Sequence, residues 1–567
     1  MSNQPTVDHN APHVAARGRR STWAAGLSLA ALLAAVYYST LYPGVWKGDA
    51  AELQYMSALL GVCHPPGYGL EIAIGNLFAH LPLGPGVAWR INLMQVVCGV
   101  AGAVLFFALL RRLTGRVWPA LVAAATLGLS VTYWRKSVLA DVYVFYALFL
   151  LAGIYCLVRF VQGGGRRWFH LAALLTGVAV TNRPSELLIL PGLAALWWLS
   201  RHQARLRVRD VLAGAVLALL PLAFNVGWYL VREKPTLLHA RDDAMRDRIL
   251  GAGSDAARTS PTQRVIAALR YSLGLEAAGR ESFTQFSWSQ VGWDASKLGW
   301  QLSGLGLLRD RYRPEQVQQD EETAFRQRQQ GRGASLTALG LLLAAWGLSQ
   351  WRRARPAVLL ALGLTAGNLA YYFYMHPVDN LDFLLPALIG LCILLALGVD
   401  GLQQRRRWLA LAAACVPLAL LAGNYRFVSP RGVAAAEVAD HMQLCEAVKV
   451  TPLPRRTVIL ASYSRAQTLR HLYWVETPRR DVHVFIFREL FDSDALARLV
   501  SALRKERYVV LLSAEKFSNS ERREMFAAWT PAELVEVGFY YAYPRRFKSS
   551  VGRPRAGGAK RRGGSPR

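Results

Sequence analysis

Hydrophobic residues in this chain come in long blocks. Eleven apolar stretches, at 23–42, 88–110, 117–134, 141–161, 168–182, 185–200, 210–231, 334–350, 356–374, 381–400 and 408–424, are separated by polar connectors. Blocks of roughly 15 to 23 residues match the length of a helix that crosses a bilayer, so the pattern predicts an α-helical polytopic membrane protein with about eleven transmembrane helices. Pro191-Gly192 within the 185–200 block predicts a broken or tilted helix there. Two connectors are long, 43–87 and 232–333. The second contains SFTQFSWSQVGWDASKLGW, an aromatic and polar run suited to a membrane surface. After residue 424 the pattern changes. TVILAS (457–462), DVHVF (481–485), RYVVLL (507–512) and LVEVGFYYAY (534–543) read as strands, and SDALARLVSALRKE reads as a helix between them. That alternation predicts a small α/β domain. The expected organisation is a leader (1–22), a membrane domain (23–424), an α/β domain (425–545) and a flexible basic tail (546–567).

Composition supports the membrane class. Hydrophobic residues make up 53% and charged residues only 18%, too little charge for the surface of a soluble protein of this size. The net charge of +29 raises nucleic acid as a partner, and its distribution argues against that. One alternating set of short connectors holds nineteen arginines, clustered at 17–20, 111–116, 159–167, 201–209, 352–355 and 405–407. The other set holds four basic residues, Lys47, Arg135, Lys136 and Arg183. This asymmetry places the arginine-rich set in the cytoplasm, and 43–87, 232–333 and everything past 424 outside. The tail from Arg545 adds nine Lys or Arg, and neither cluster has the interleaved aromatics of a single-strand binder. Four of the six cysteines, Cys98, Cys156, Cys392 and Cys415, fall inside predicted helices, and only Cys63 and Cys445 face the outside, so no disulfide framework is expected. The first apolar block follows a polar leader without a small-residue cleavage site and reads as a retained helix.

The chemistry-bearing residues gather on that external side. KGDAAELQYMSALLGVCHPPGYGL follows the first helix, with Asp49 and Glu52 three apart. The spacing fits a helix cap, Asp49 on the N3 amide and Glu52 reaching back. It fits equally a carboxylate at the membrane edge acting as general base on a hydroxyl. His64-Pro65-Pro66-Gly67-Tyr68 is a rigid turn that folds 69–82 back along the membrane over the acids. Arg90, the Arg135-Lys136 pair, Asp141, Asn182, Arg183, His376, Asp379 and Asp382 lie at external helix ends. Each alone fits an end-of-helix polar residue. Together they supply bases and phosphate-holding arginines on one face.

GDAAELQYMSALLGVCHPPGYGLEIAIGNLFAHLP and GVAWRINLMQVVCGVAGAVL closely resemble the start of a polytopic membrane family long labelled a domain of unknown function. Its vertebrate member is a protein O-mannosyltransferase of the endoplasmic reticulum, and the family is similar to the GT-C class of glycosyltransferases. YWRKSVLADVY resembles a further family element, with Asp141 where Glu is usual. GVAVTNRPSELLILPG resembles another, with Arg183 in place of histidine. The resemblance implies an inverting glycosyltransferase moving sugar from a polyprenyl-phosphate donor to an acceptor hydroxyl on protein, glycan or lipid, at the outer face of a cytoplasmic membrane. It implies Asp49 as base with Glu52 orienting, Arg90, Arg183 and His64 at the donor phosphate, and Tyr68, Asp141, Asn182, His376 and Asp379 in support. No cofactor is expected. A divalent metal is compatible with the acids, but no ligand cluster stands out in the sequence. Two rival readings are a lipid-sugar flippase, which would want polar residues at mid-membrane and matching broken helices in two halves, and a scaffold anchored by its helices.

Overall fold

The structure, a computed structural model, describes residues 11–200, 206–232, 236–250, 260–275, 333–375, 381–432, 435–477, 479 and 481–486, with parts of 295–303, 499–513 and 535–542. Each of the eleven apolar blocks carries helix. α1 (Ala11–Ser39) leads into two short helices, α2 (Gly48–Leu59) and α3 (Gly69–Ala79). There follow α4 (Val87–Thr114), α5 (Val117–Leu129), α6 (Val131–Ser137), α7 (Tyr143–Val161), α8 (Arg167–Asn182), α9 (Leu190–Ser200) and α10 (Val208–Arg232). Two helices of the long connector, α11 (Leu237–Leu250) and α12 (Pro261–Ser272), come next. The bundle closes with α13 (Ala338–Leu348), α14 (Trp351–Met375), α15 (Leu385–Arg405), α16 (Arg407–Ala412) and α17 (Cys415–Val428).

Among the described residues seven helices are long and apolar enough to cross a membrane, or eight if α5 and α6 form one span bent by 64°. α8, α9 and α13 are shorter, which accounts for the difference from the eleven blocks. Local chemistry sets the breaks. Ser130 is extended, and its hydroxyl accepts from Tyr133 N at 3.3 Å, an N-cap that starts a new helix. Pro184 disfavours the α region for the residue before it, so α8 stops at Asn182 and Arg183 turns out at φ −147°, ψ 92°. The 185–200 block is broken as expected, a 3-10 turn at Pro184–Ile189 followed by α9. Gly192 of α9 lies against Gly363 of α14 so closely that a Cβ on Gly363 would sit 2.3 Å from the Gly192 Cα. On the outside, Leu212, Val216, Leu219 and Leu220 of α10 are exposed, an apolar face that suits lipid.

After α18 (Ala435–Val450) comes the α/β unit: β1 (Thr457–Ala461), α19 (Tyr463–His471), β2 (Val482–Ile486), β3 (Val509–Ser513), β4 (Val535–Val537) and β5 (Tyr540–Ala542). The strand order is β2-β1-β3-β5-β4. β1 pairs parallel with β2 and β3, and β5 pairs antiparallel with β3 and β4. β1 and β2 are buried throughout: β1 is an inner parallel strand, and β2, at the sheet edge, is covered by α11.

Among the described residues the bundle has a main core and a small satellite of Tyr372, Leu384 and Ala387, and a further core joins α2 to the α/β unit. Leu53, Tyr55, Met56, Ile72 and Ile91 pack in it with Ile459, Leu469, Tyr473, Trp474 and Leu511. Polar contacts fix the seam. Tyr55 Oη donates to Gln467 Oε1 at 2.7 Å, Thr468 Oγ1 to the Trp46 carbonyl at 3.1 Å, and Lys47 Nζ to Glu437 Oε1 at 2.7 Å. α11 grips the edge strand: Val484 N donates to Asp242 Oδ2 at 3.1 Å and Arg241 to the Val482 carbonyl at 2.9 Å. The six cysteines are free, with Cys63 and Cys445 both buried and unpaired.

Candidate active site

α2 opens at Gly48, whose φ of +57° is left-handed, with Lys47 as its N-cap and no side-chain cap bond. Asp49 therefore lies inside the first turn and Glu52 at the start of the second, and the capping-box alternative is not what forms. Their oxygens go elsewhere. Glu52 is buried, and it accepts from His64 N through Oε1 at 3.0 Å and from His64 Nδ1 through Oε2 at 2.5 Å. Asp49 is exposed, and its Oδ1 accepts from Tyr463 Oη at 3.0 Å. The same phenol reaches Glu52 Oε2 at 3.1 Å.

The His-Pro-Pro-Gly-Tyr segment is the expected turn. Gly67 takes φ +98° and its N–H closes on the His64 carbonyl at 2.9 Å. The long-connector side of the molecule clamps it. Asn225 donates to the Pro66 carbonyl at 2.6 Å and accepts from Gly69 N at 2.8 Å, Trp228 Nε1 donates to the Gly61 carbonyl at 2.9 Å, and Tyr271 donates to the Cys63 carbonyl. α3 then packs along α2 and α4, where Asn76 donates to the Ser57 carbonyl at 2.8 Å. Besides His64, the residue that contacts the acids among the described residues is Tyr463. Burial works against a charged His64 ring, but the Glu52 and Asp49 carboxylates and the bond to Glu52 outweigh it, so its pKa is pushed up to about 9. Burial and the same carboxylates push the Tyr463 phenol far up, which keeps it a donor. Tyr68 Oη lies 3.4 Å from His64 Nε2.

Asp49, Glu52 and His64 each offer a ligand atom within 4.8 Å of the others, a cluster hidden in the sequence because the turn brings His64 back over twelve residues. Such a set could share a divalent ion. With the ring protonated, His64 is itself the cation the carboxylates hold, and it has no lone pair to give a metal at Nδ1.

Cations line the neighbouring wall. Lys136 Nζ pairs with Asp141 Oδ2 at 2.5 Å and lies 4.7 Å from the centroid of the Tyr143 ring. Arg183 is buried and lies 4.7 Å from the same centroid, 4.4 Å from that of Phe383 and 5.2 Å from that of Tyr146. Its Nε reaches Ser185 Oγ at 3.2 Å and Glu186 Oε1 at 3.4 Å, while neither terminal nitrogen has a hydrogen-bond partner among the described residues. Asn182 donates to Glu71 Oε2 at 3.0 Å, and Gln95 donates to Glu71 Oε1 at 3.1 Å.

The structure thus brings Asp49, Glu52, His64 and Tyr68 together, with Asp141 close enough for its charge to add to the field at His64. Arg183 sits with Lys136 around Tyr143. His64 is engaged by Glu52. Arg90 is set apart: it donates to the Leu83 carbonyl at 3.2 Å in the loop before α4. His376 and Asp379 lie outside the described residues. Sequence reasoning missed Glu71 and Tyr463. An acid inside the apolar helix GLEIAIGNLFA is a readable sign of a buried function for Glu71. Nothing local marks Tyr463.

Residues 49–206 match the family described as the protein O-mannosyl-transferase TMEM260 N-terminal domain, as the sequence resemblance led us to expect. The match begins at Asp49 and takes in every site residue named here except Asn225, Trp228, Tyr271, His376, Asp379, Phe383 and Tyr463. The protein O-mannosyl-transferase tmem260 of Dictyostelium discoideum is 28% identical over 169 residues, and TMEM260 of Mus musculus is 31% identical over 202 residues. These matches cover 27% and 35% of this chain, and the chain spans only 21% and 28% of those relatives' length. Among solved structures, ArnT from Cupriavidus metallidurans bound to undecaprenyl phosphate aligns over 91% of this chain and 97% of its own, at 11% identity and a TM-score of 0.49. An Archaeoglobus fulgidus oligosaccharyltransferase aligns over 88% and 71%, at 10% identity and a TM-score of 0.46.

Proposed function

We propose that this chain, similar over residues 49–206 to protein O-mannosyl-transferases, is a GT-C-type glycosyltransferase. It moves a sugar from a polyprenyl-phosphate donor to an acceptor hydroxyl at the outer face of a cytoplasmic membrane. The observation that carries this reading is the carboxylate pair: Asp49 exposed, Glu52 buried and tied to His64, at the opening of the matched region.

The acceptor hydroxyl donates to Asp49. As its oxygen forms a bond to the anomeric carbon, the proton passes to Asp49, the bond from that carbon to the phosphate oxygen breaks, and the electron pair leaves with the lipid phosphate. Attack opposite the leaving group inverts the anomeric centre. Glu52 and His64 form a fixed charged pair behind the base. The developing phosphate charge falls to Arg183, whose buried terminal nitrogens have no hydrogen-bond partner among the described residues, and to Lys136 across the same ring. The relatives' name makes mannose the first sugar to test.

Asp49→Asn is the direct test. Asparagine keeps the shape of the side chain and cannot take the proton, so purified Asp49→Asn protein should bind donor and fail to transfer. Full transfer by this variant would remove Asp49 from the base role.

A further inference from the structure

The α/β unit reaches into the site at one point. Tyr463, the first residue of α19, donates from one phenol to Asp49 Oδ1 at 3.0 Å and to Glu52 Oε2 at 3.1 Å, across more than four hundred residues of sequence. These are the two groups that the proposed chemistry depends on, and the residue lies outside the region matched to the transferase family.

We propose that Tyr463 is a positioning residue of the catalytic centre, bridging the two carboxylates and turning Asp49 so that Oδ2 takes the acceptor proton. This rests on the reading of Asp49 as base. An exposed aspartate in the first turn of a helix has several rotamers open to it, and a base must be held within hydrogen-bond reach of the hydroxyl it serves. The phenol fixes Oδ1, and since Asp49 is exposed its other oxygen is the one left for the acceptor.

The support is itself rigid. Ser462 caps α19 by accepting from Arg465 N at 3.4 Å. One turn further along, Gln467 accepts from the buried Tyr55, and the next residue, Thr468, donates to the Trp46 carbonyl. Tyr55 and Trp46 flank the acids on the α2 side, so the helix carrying the phenol and the helix carrying the carboxylates are pinned to each other on both sides of the contact. A site built on rigid elements holds its geometry better than one on loops. The α/β unit is therefore part of the active site.

The test uses the full-length protein in detergent, with a short-chain polyprenyl-phosphate mannose as the probe donor. Tyr463→Phe keeps the ring and removes the hydroxyl. Losing a hydrogen bond to charged groups should lower kcat roughly ten- to a hundredfold, with the KM for donor unchanged. Arg241→Met removes a contact that docks the α/β unit on α11 without touching α19 or the acids and should keep near wild-type kcat. A Tyr463→Phe variant with wild-type kcat, beside an inactive Asp49→Asn, would overturn the positioning role alone. An equal loss in Arg241→Met would overturn it too, since the phenol would then matter only for docking. Full activity in Asp49→Asn would overturn the base reading on which the proposal stands.

Discussion

His64 is held by two carboxylates, and that has a signed consequence for pH. Its folded-state pKa is raised from 6.5 to about 9. A raised pKa stabilises the fold fully below the unfolded value and loses that contribution as pH rises through the folded value. The melting temperature of the wild type should therefore fall between about pH 6.5 and about pH 9, and His64→Gln should lack that part of the decline. Thermal-shift curves across this range decide it, and parallel curves for the two proteins would rule the ion pair out as a stabiliser. The arginines give a second contrast at this scale. A buried guanidinium whose terminal nitrogens have no partner among the described residues, as at Arg183, can hold two phosphate oxygens at once, and an ammonium cannot with the same geometry. Arg183→Lys should cut transfer by about a hundredfold, while Arg90→Lys, at a loop carbonyl, should stay within a few-fold of wild type. Steady-state kinetics separate them, and the reverse ranking would return the donor phosphate to Arg90.

Helix packing depends on a few close approaches. α9 and α14 meet through Gly192 and Gly363, so Gly363→Val has no room and should cost about 2 kcal/mol or more. It should appear as a lowered melting temperature in detergent. Gly86 has open space around its Cβ position and an extended backbone, so Gly86→Ala should leave that temperature unchanged. At this scale the sequence was informative wherever the cause was local. Span-length apolar blocks became helices, Pro191-Gly192 marked a broken one, and the four strand-like runs joined one sheet. The acid pair shows where locality ends. Its three-residue spacing also spells a cap, and what decides between the readings is His64, twelve residues on, and Tyr463, 414 residues from Asp49. Arg183 and Lys136 could be read as external cations, but not as two cations around the Tyr143 ring, because that ring joins them only after α6, α7 and α8 have packed.

The whole molecule has an orientation that the connectors encode. Nineteen arginines on one side against four basic residues on the other should place the long connector and the α/β unit outside. Alkaline phosphatase fused at residue 300 and at residue 440 should be active at both, and activity of a cytoplasmic reporter there would turn the arrangement over. The seam between α2 and the α/β unit also bears on how the chain is made. Tyr55 leaves the ribosome 412 residues before its partner Gln467, which at about 5–20 residues per second is roughly 20 to 80 s. Throughout that interval Leu53, Tyr55 and Met56 have no Trp474 or Leu469 to pack against, so the strip they form stays open to water or to whatever attends the nascent chain. A ribosome that stops early releases a chain whose membrane helices can already pair while its acids stand on an uncovered helix. Such a product would expose the apolar strip that the α/β unit otherwise covers.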